Sequence, residues 1–479
     1  MKYYLHLFLF ILLFASCSKE NIVEDSNQDL TSKELTIFFV NDVHGQIDNF
    51  SKVKNIVEKE RIETNVLITS GGDLFSGNPI VDNHPEKGYP MIDIMNDIGF
   101  DIAVLGNHEF DYGEEVLENR MEQSEFEWVC ANVDMNATTV PEPWEYKTIT
   151  VDNIKVTFLG LVETDGKVDA TIPSTHPWKV QNFTFQRPEN VISKYANVKE
   201  KENSDLYIAL SHLGYDKSWS LGDVQLAMQY PYFDLIIGGH SHQIINTTIN
   251  DIPIFQAGGY LNKLGKIKMT LVDKKIESIN CTIIDLNNYS EYDSELQAKI
   301  DEYNNLPYFD EVIGYSEVYH SKTEVGCFVV EALKSQMSAD ISFQNTGGIR
   351  ASLNQGDITK KEIFEISPFN NGTIVYTMTV AEIKDFLIGS AAGFYYAGVY
   401  IEQLNNELII SDLSSNILSD AANLQVGVID YIPAVYDSYF PQQGAIQSLT
   451  DAETIITYLE NTSSSINYSG SNNYFKYKR

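Results

Sequence analysis

Nine histidines are spread over 479 residues, and five of them stand in short polar segments directly after apolar runs: His44, His108, His212, His240 and His242. Asp42-Val43-His44-Gly45 comes first. In an extended segment residues i and i+2 project to the same side, so Asp42 and His44 are placed to grip one cation, and Gly45 lets the chain turn away. Alone, such a pair is more often structural. Gly71-Gly72-Asp73 puts a carboxylate behind two residues that allow close backbone approach. That carboxylate suits bridging two cations, as two-metal hydrolases require, or capping the next helix. Gly106-Asn107-His108-Glu109-Phe110-Asp111 is the longest and most specific of the set. Asn107 offers a metal its amide oxygen, while His108 and Asp111, three apart at a helix start, share one face. A carboxylate on one imidazole nitrogen fixes the tautomer, favours the charged form and leaves the other nitrogen to act on a substrate. Ser211-His212 and Gly238-Gly239-His240-Ser241-His242 complete the series, the last repeating the i, i+2 spacing. A lone His-x-His is structural about as often as not; as the fifth motif of an ordered series it reads as ligands. His6 falls in a leader, and His84, His176 and His320 lack such a context and read as ordinary surface or loop residues.

The motifs follow Leu35–Val40, Val66–Thr69, Asp101–Leu105, Leu206–Leu210 and Asp234–Ile237. These runs are continuously apolar and rich in β-branched residues, which suits strands buried on both faces. Helix-like stretches such as Phe50–Arg61 and Tyr89–Ile98 lie between them, so the fold class is α/β and layered. In open α/β sheets ligands gather beyond the carboxyl ends of strands. Five such ends pointing polar side chains at one edge are not explained by packing.

Taken in order, the five motifs resemble the calcineurin-like metallophosphoesterases, and within them the 5′-nucleotidase family, which includes bacterial UDP-sugar hydrolases and 2′,3′-cyclic phosphodiesterases. The resemblance implies a four-layer αββα domain with a dinuclear centre, followed by an α+β domain of the 5′-nucleotidase C-terminal type. Carried over by motif, Asp42, His44, Asp73 and His242 hold one metal. Asp73 bridges to a second, completed by Asn107, His212 and His240. Several members of the family carry Gln where this chain has His242. Mixed nitrogen and oxygen ligands suit Zn, Mn, Co or Fe(II) better than Ca or Mg alone. The resemblance implies in-line attack on phosphorus by water that the metals would activate, with His108, oriented by Asp111, stabilising the transition state or assisting the leaving oxygen.

The second region carries weaker likenesses. Gln344-Asn345-Thr346-Gly347-Gly348-Ile349-Arg350 is similar to the family's NGGGIR loop, and Ser367-Pro368-Phe369-Asn370-Asn371 to its PFGN segment. Tyr431, six residues before Asp437, falls where the family keeps an aromatic and an acid. The implied pocket stacks a nucleobase between Phe369 and Tyr431, with Arg350 on the phosphate or ribose side and Asn345, Asn371 and Asp437 close by. Thr346 stands for a Gly, Val435-Tyr436 for a Gly pair and Tyr431 for a Phe. Plain core aromatics therefore remain the alternative for Phe369 and Tyr431. The leading reading is a 5′-nucleotidase acting on extracytoplasmic nucleotides; the neighbouring one is a phosphoesterase for cyclic nucleotides, UDP-sugars or other small phosphoesters. A ligand-binding lipoprotein on an inactive scaffold is the reading of another class, and such a chain has no reason to keep every ligand together with His108 and Asp111.

A formal net charge of −34 argues against binding nucleic acid or an anionic membrane surface through charge, and the metals supply the positive focus that a phosphate needs. The only arginines are Arg61, Arg120, Arg187, Arg350 and Arg479. Lys2, the apolar run Leu5–Phe14 and Ala15-Ser16-Cys17 form a signal peptide over 1–16 that resembles a bacterial lipoprotein leader. Cys17 is then lipidated, residues 17–34 form a flexible tether, and the expected location is the outer membrane or cell surface. Cys130, Cys281 and Cys327 are too few and too far apart for a disulfide framework. The expected division is a metallophosphoesterase domain over 35–290, a solvated linker helix within 291–312 and the second domain over 313–479. Residues 462–473 read as a polar surface loop.

Overall fold

The computed structural model describes residues 32–478 apart from 168, 170, 218, 219, 463 and 464. The leader, Cys17 and most of the tether lie outside the described residues. Two six-stranded sheets dominate the first domain. In one, Lys33–Val40, Asn65–Ser70, Ile102–Val104 and Glu127–Val129 run parallel, and the antiparallel hairpin Lys263–Val272/Lys275–Asp285 extends the edge beside Lys33–Val40. In the other, Ile154–Val162, Leu206–His212, Leu235–Ile237 and Ile252–Ala257 run parallel between antiparallel edge strands Tyr146–Val151 and Ile244–Ile249.

Strand alternation assigns each side chain to a layer. Leu35, Ile37 and Phe39 point inward and meet Phe158, Ile208 and Leu235 of the facing sheet. Phe38 and Val40 point outward into a second core with Phe50, Val53 and Val57 of helix Phe50–Arg61 and with Met91 and Ile92 of helix Tyr89–Ile98. On the far side Leu159, Tyr207 and Ile236 pack under the short helices Val198–Glu202 and Asp223–Gln229. Helix, sheet, sheet, helix is thus the layer order. Both helices end where the apolar period ends, the second on Gly99, whose φ of 78° gives the left-handed turn that closes a helix.

The linker helix differs from expectation. Ser294–Asn304 is capped by Asp293, buries Leu296 and Ile300, and ties Lys299 to Asp93 and Asp97. It lies along the first domain instead of standing in solvent, because its two apolar positions four apart give it a narrow docking stripe.

The second domain is built on a mixed six-stranded sheet. Its order is Ala445–Thr450, Gly372–Thr379, Asn423–Ile429, Ile341–Asn345, Gly393–Ala397 and Tyr474–Lys476. Helix Lys322–Gln336 starts on a Ser321/Glu324 capping box. The segment expected as a surface loop is stitched down in part. Ser465–Ile466 pairs with Tyr315–Ser316, and the Tyr468 amide donates to His320 Nε2 at 2.8 Å. His320 is therefore no surface residue: it is buried, with its other nitrogen 2.9 Å from Ser316 Oγ. His84 sits in a loop, its ring 5.9 Å from Tyr89.

Candidate metal centre

All five histidine- or acid-bearing segments meet at the carboxyl edge shared by the two sheets. Asp42, His44, Asp73 and Asn107 come from the first sheet, and His212, His240 and His242 from the second. The i, i+2 argument gives the right neighbours for the wrong reason. Asp42 and His44 are not in an extended segment: their φ values are 52° and 50°, and Asp73, His240 and His242 have 57°, 71° and 53°. Five side chains thus converge from left-handed turns, a conformation that costs a non-glycine residue on the order of 1 kcal/mol and concentrates at functional sites. The glycines between make room. A β-carbon on Gly72 would sit 2.8 Å from both the Gly106 nitrogen and His212 Nδ1.

Two groups of ligand atoms result, each within 4.8 Å: Asp42, His44, Asp73 and His242 in one, Asp73, His212 and His240 in the other. Asp73 is common to both. Backbone carbonyls set the tautomers, since His44 Nδ1 faces Ser76 O at 3.1 Å and His212 Nδ1 faces Gly71 O at 2.6 Å. Each therefore turns an Nε2 lone pair into the cluster. His44 Nε2 lies 2.9 Å from His242 Nε2. His212 Nε2 lies 3.1 Å from Asp73 Oδ2 but off the line of a hydrogen bond, and it has no other partner although fully buried. Asn107 Nδ2 donates to Ser174 O, which turns its oxygen toward His240 Nδ1 at 2.9 Å. A buried nitrogen without a partner, two facing ring nitrogens and a shared carboxylate are what a pair of divalent ions would satisfy, so these residues fit such a group.

The electrostatics agree. Burial opposes ionisation of Asp73, yet the charges of His212 and His108 hold it well below the usual carboxylate range. Burial, joined by the charge of Asp73, pushes Asp42 up to about 7. Burial disfavours a charged His212 too, but Asp73 overcomes it and holds that imidazole up at about 10, with a proton that a bound cation would displace from Nε2. Burial, then the Arg350 charge, takes His242 down to about 4.

His108 opens a short 3₁₀ turn, His108–Phe110, in which residues i and i+3 eclipse, and its Nδ1 lies 2.6 Å from Asp111 Oδ2. Burial works against its protonation, and Asp111 and Asp73 raise it nonetheless. Glu109, which the motif reading left without a role, ties the loops together. Its carboxylate accepts from the Asp73 amide at 3.0 Å and the Leu74 amide at 2.6 Å, as well as from Gly106.

Calcineurin-like phosphoesterases match residues 35–244 and the 5′-nucleotidase C-terminal domain matches residues 306–455. The chain joins one of each. It is 26% identical over 446 residues to a 5′-nucleotidase of Vibrio cholerae, covering 79% of each protein. It is 28% identical over 424 residues to the trifunctional nucleotide phosphoesterase YfkN of Bacillus subtilis, with 76% of this chain aligned. The chain spans only 28% of that relative's length. The crystal structure of a 5′-nucleotidase precursor from Thermus thermophilus superposes with a TM-score of 0.79 at 19% identity, over 90% of this chain and 97% of that one, which shows the same two-domain fold.

Between the phosphoesterase domain and the nucleotidase C-terminal domain lies a cavity of about 210 Å³ that includes Asp73, Asn107, His108, Asp111, His240 and His242 on one wall. Asn345, Arg350, Phe369, Asn371 and Tyr431 form the other. Arg350 Nη2 is buried without a hydrogen-bond partner, a donor left for an anion. Phe369 and Tyr431 line the same cavity, but among the described residues no ring contact joins them. Phe369 lies flat on His108 at 5.5 Å and has the Arg350 guanidinium 5.6 Å from its centroid, while Tyr431 meets His176 edge-on at 5.9 Å. Asn371 is largely engaged, donating to Asp451 Oδ2 at 3.2 Å. Asp437 is not in the cavity: it is 74% exposed at the rim, 3.8 Å from Lys167, because the short helix Tyr431–Val435 carries the chain outward.

Five further cavity residues escaped the sequence reading: Ser174, Thr175, His176, Lys179 and Ile429. His176 stands in a loop, one of the two settings expected for it, but it is buried and not on the surface; a Nε2–Asp430 contact of 3.1 Å across the domains holds it inside. Its sequence context, Thr-His-Pro-Trp, has no ligand spacing, and only the scarcity of histidines pointed to it.

Proposed function

We propose that the protein is a dinuclear metal-dependent phosphoester hydrolase that releases phosphate from nucleotides outside the cytoplasm. The observation that carries this is the shared Asp73: two ligand groups meet at one carboxylate, facing the unpartnered Arg350 nitrogen across a small cavity. Two divalent ions held by Asp42, His44, Asp73, Asn107, His212, His240 and His242 would supply Lewis acidity for activating water and neutralising phosphoryl charge. His108 holds a proton beside that cluster, kept there by Asp111, where a leaving oxygen needs one. Arg350 orients the phosphoryl or ribose side, and Phe369 covers His108 and excludes water. The leader ending at Cys17 supports a lipid-anchored enzyme at the outer membrane or cell surface, and a charge of −34 speaks against nucleic acid as a partner.

A second reading, a phosphoesterase for small or cyclic phosphoesters, is favoured by one observation: Phe369 is engaged with His108 instead of facing Tyr431. Phosphate release from AMP, UDP-glucose, 2′,3′-cyclic AMP and p-nitrophenyl phosphate, with Mn²⁺ or Zn²⁺ added, separates the two. AMP turnover that falls about 10²–10⁴-fold in His108→Ala supports the nucleotidase. Activity on p-nitrophenyl phosphate alone removes the nucleotide, and no activity on any of the four removes the hydrolase.

A further inference from the structure

The segment Ser174–Lys179 of the phosphoesterase domain holds none of the seven cluster residues, yet it touches both sides of the chemistry. Ser174 is fixed at both backbone groups, its amide donating to Glu163 Oε1 at 2.6 Å and its carbonyl accepting from Asn107 Nδ2 at 3.1 Å. Thr175 Oγ1 donates to Asp111 Oδ1 at 2.8 Å, while the other oxygen of that carboxylate takes His108 Nδ1. Lys179 Nζ reaches the Asp111 carbonyl. Asp111 is therefore held from this segment at its side chain and its backbone.

The next residue faces the other domain. His176 Nδ1 accepts from the Trp178 amide at 3.3 Å, which leaves the ring proton on Nε2 to donate to Asp430 Oδ1. Tyr431, beside Asp430, packs edge-on against the same ring. Both imidazole nitrogens are thus spoken for, and one of their partners belongs to the second domain. A hydrogen bond that merely joined two domains need not sit one residue from the group that aims His108. Two adjacent side chains of this segment, one bonded to Asp111 of its own domain and one to Asp430 of the second, make a short path between them.

We propose that Thr175 and His176 are positioning residues: His176, held by Asp430 of the second domain, keeps Thr175 on Asp111 and so sets the aim of His108. This rests on the reading of His108 as the proton-bearing group. It makes the seating of the second domain a condition for a correctly aimed His108, where displacements of about 1 Å are known to cost on the order of 10²-fold in rate.

The test uses the purified full chain with Mn²⁺, p-nitrophenyl phosphate and AMP as probes, and the variants Thr175→Val, Thr175→Ser, His176→Ala, Asp430→Ala and the His176→Ala/Asp430→Ala double. Thr175→Val is expected to lower kcat about tenfold at unchanged KM and metal content, and Thr175→Ser to stay within about twofold of wild type. His176→Ala and Asp430→Ala should each lower kcat about fivefold, with the double no worse than either, as for two residues acting through one contact. Wild-type kcat in Thr175→Val, effects that multiply in the double, or loss of metal in step with activity overturns the proposal. Nitrogen-15 imidazole NMR reads the same path without turnover: the His108 Nδ1–H signal should shift or broaden in Thr175→Val and His176→Ala. An unchanged signal in both overturns the positioning role even if wild type hydrolyses none of the probes, whereas a shifted signal in an inactive wild type would sink the hydrolase reading alone.

Discussion

The two walls of the cleft are built to different standards. On the phosphoesterase side several of the converging groups have a fixed second partner: Gly71 O holds His212, Ser76 O holds His44, and Glu109 holds the amides of Gly106, Asp73 and Leu74. On the nucleotidase side Asn371 is turned toward Asp451, Asp437 lies outside the cavity, and Arg350 keeps a donor unpaired. Rigid placement serves a reaction whose geometry is the same for every phosphoester. A looser wall can accept different leaving groups, so under the proposed function the difference separates the reaction from the choice of substrate.

That contrast is broken most severely at Asp73. Asp73→Ala removes the carboxylate common to both ligand groups, and we expect metal content by mass spectrometry to fall from two equivalents to one or fewer, with phosphate release at background. Retention of two equivalents would show that the groups do not share a ligand. Glu109→Gln sharpens the rigid side without touching a ligand. It sets an amide NH₂ against donors now facing a carboxylate, and should destabilise by about 2–3 kcal/mol, read as a lower denaturation midpoint at constant m. A change under ~0.5 kcal/mol would mean the loops hold themselves.

On the looser wall the effects shrink. Arg350→Lys replaces a planar fork by a point charge and is expected to raise KM about tenfold while kcat moves less than threefold. An equal fall in kcat would place Arg350 on the transition state instead. Asp437→Asn should be nearly silent, within twofold in kcat/KM and ~0.5 kcal/mol in stability, because its contact with Lys167 is exposed. A tenfold loss would restore the substrate role that the family resemblance implies.

What could be read in advance follows the same division. Strands buried on both faces leave continuous apolar runs, so Leu35–Val40 and Leu206–Leu210, the bulk of strands Lys33–Val40 and Leu206–His212, were visible as such runs, and the polar residues after them stood out against it. Helices Phe50–Arg61 and Tyr89–Ile98 showed their ends because one-sided burial prints a period. The left-handed turns at Asp42, His44, Asp73, His240 and His242 leave no such print: none of the five is a glycine, and tertiary contacts enforce the conformation. His176 was hidden for another reason. Its partner Asp430 is 254 positions away, and a loop without periodicity carries no record of so distant a neighbour.

The placement of ligands on both sheets has a consequence for the protein's lifetime. His212, His240 and His242 reach across to Asp42, Asp73 and Asn107, so an ion bound there also rivets the open edge of the sandwich. Binding to the folded form alone adds about 1.4 kcal/mol of stability for every tenfold of free metal above the dissociation constant. The five left-handed residues, strained on their own, would be held in place in part by that ion. In a metal-poor medium the protein itself, and not only its activity, would therefore be open to loss by proteolysis.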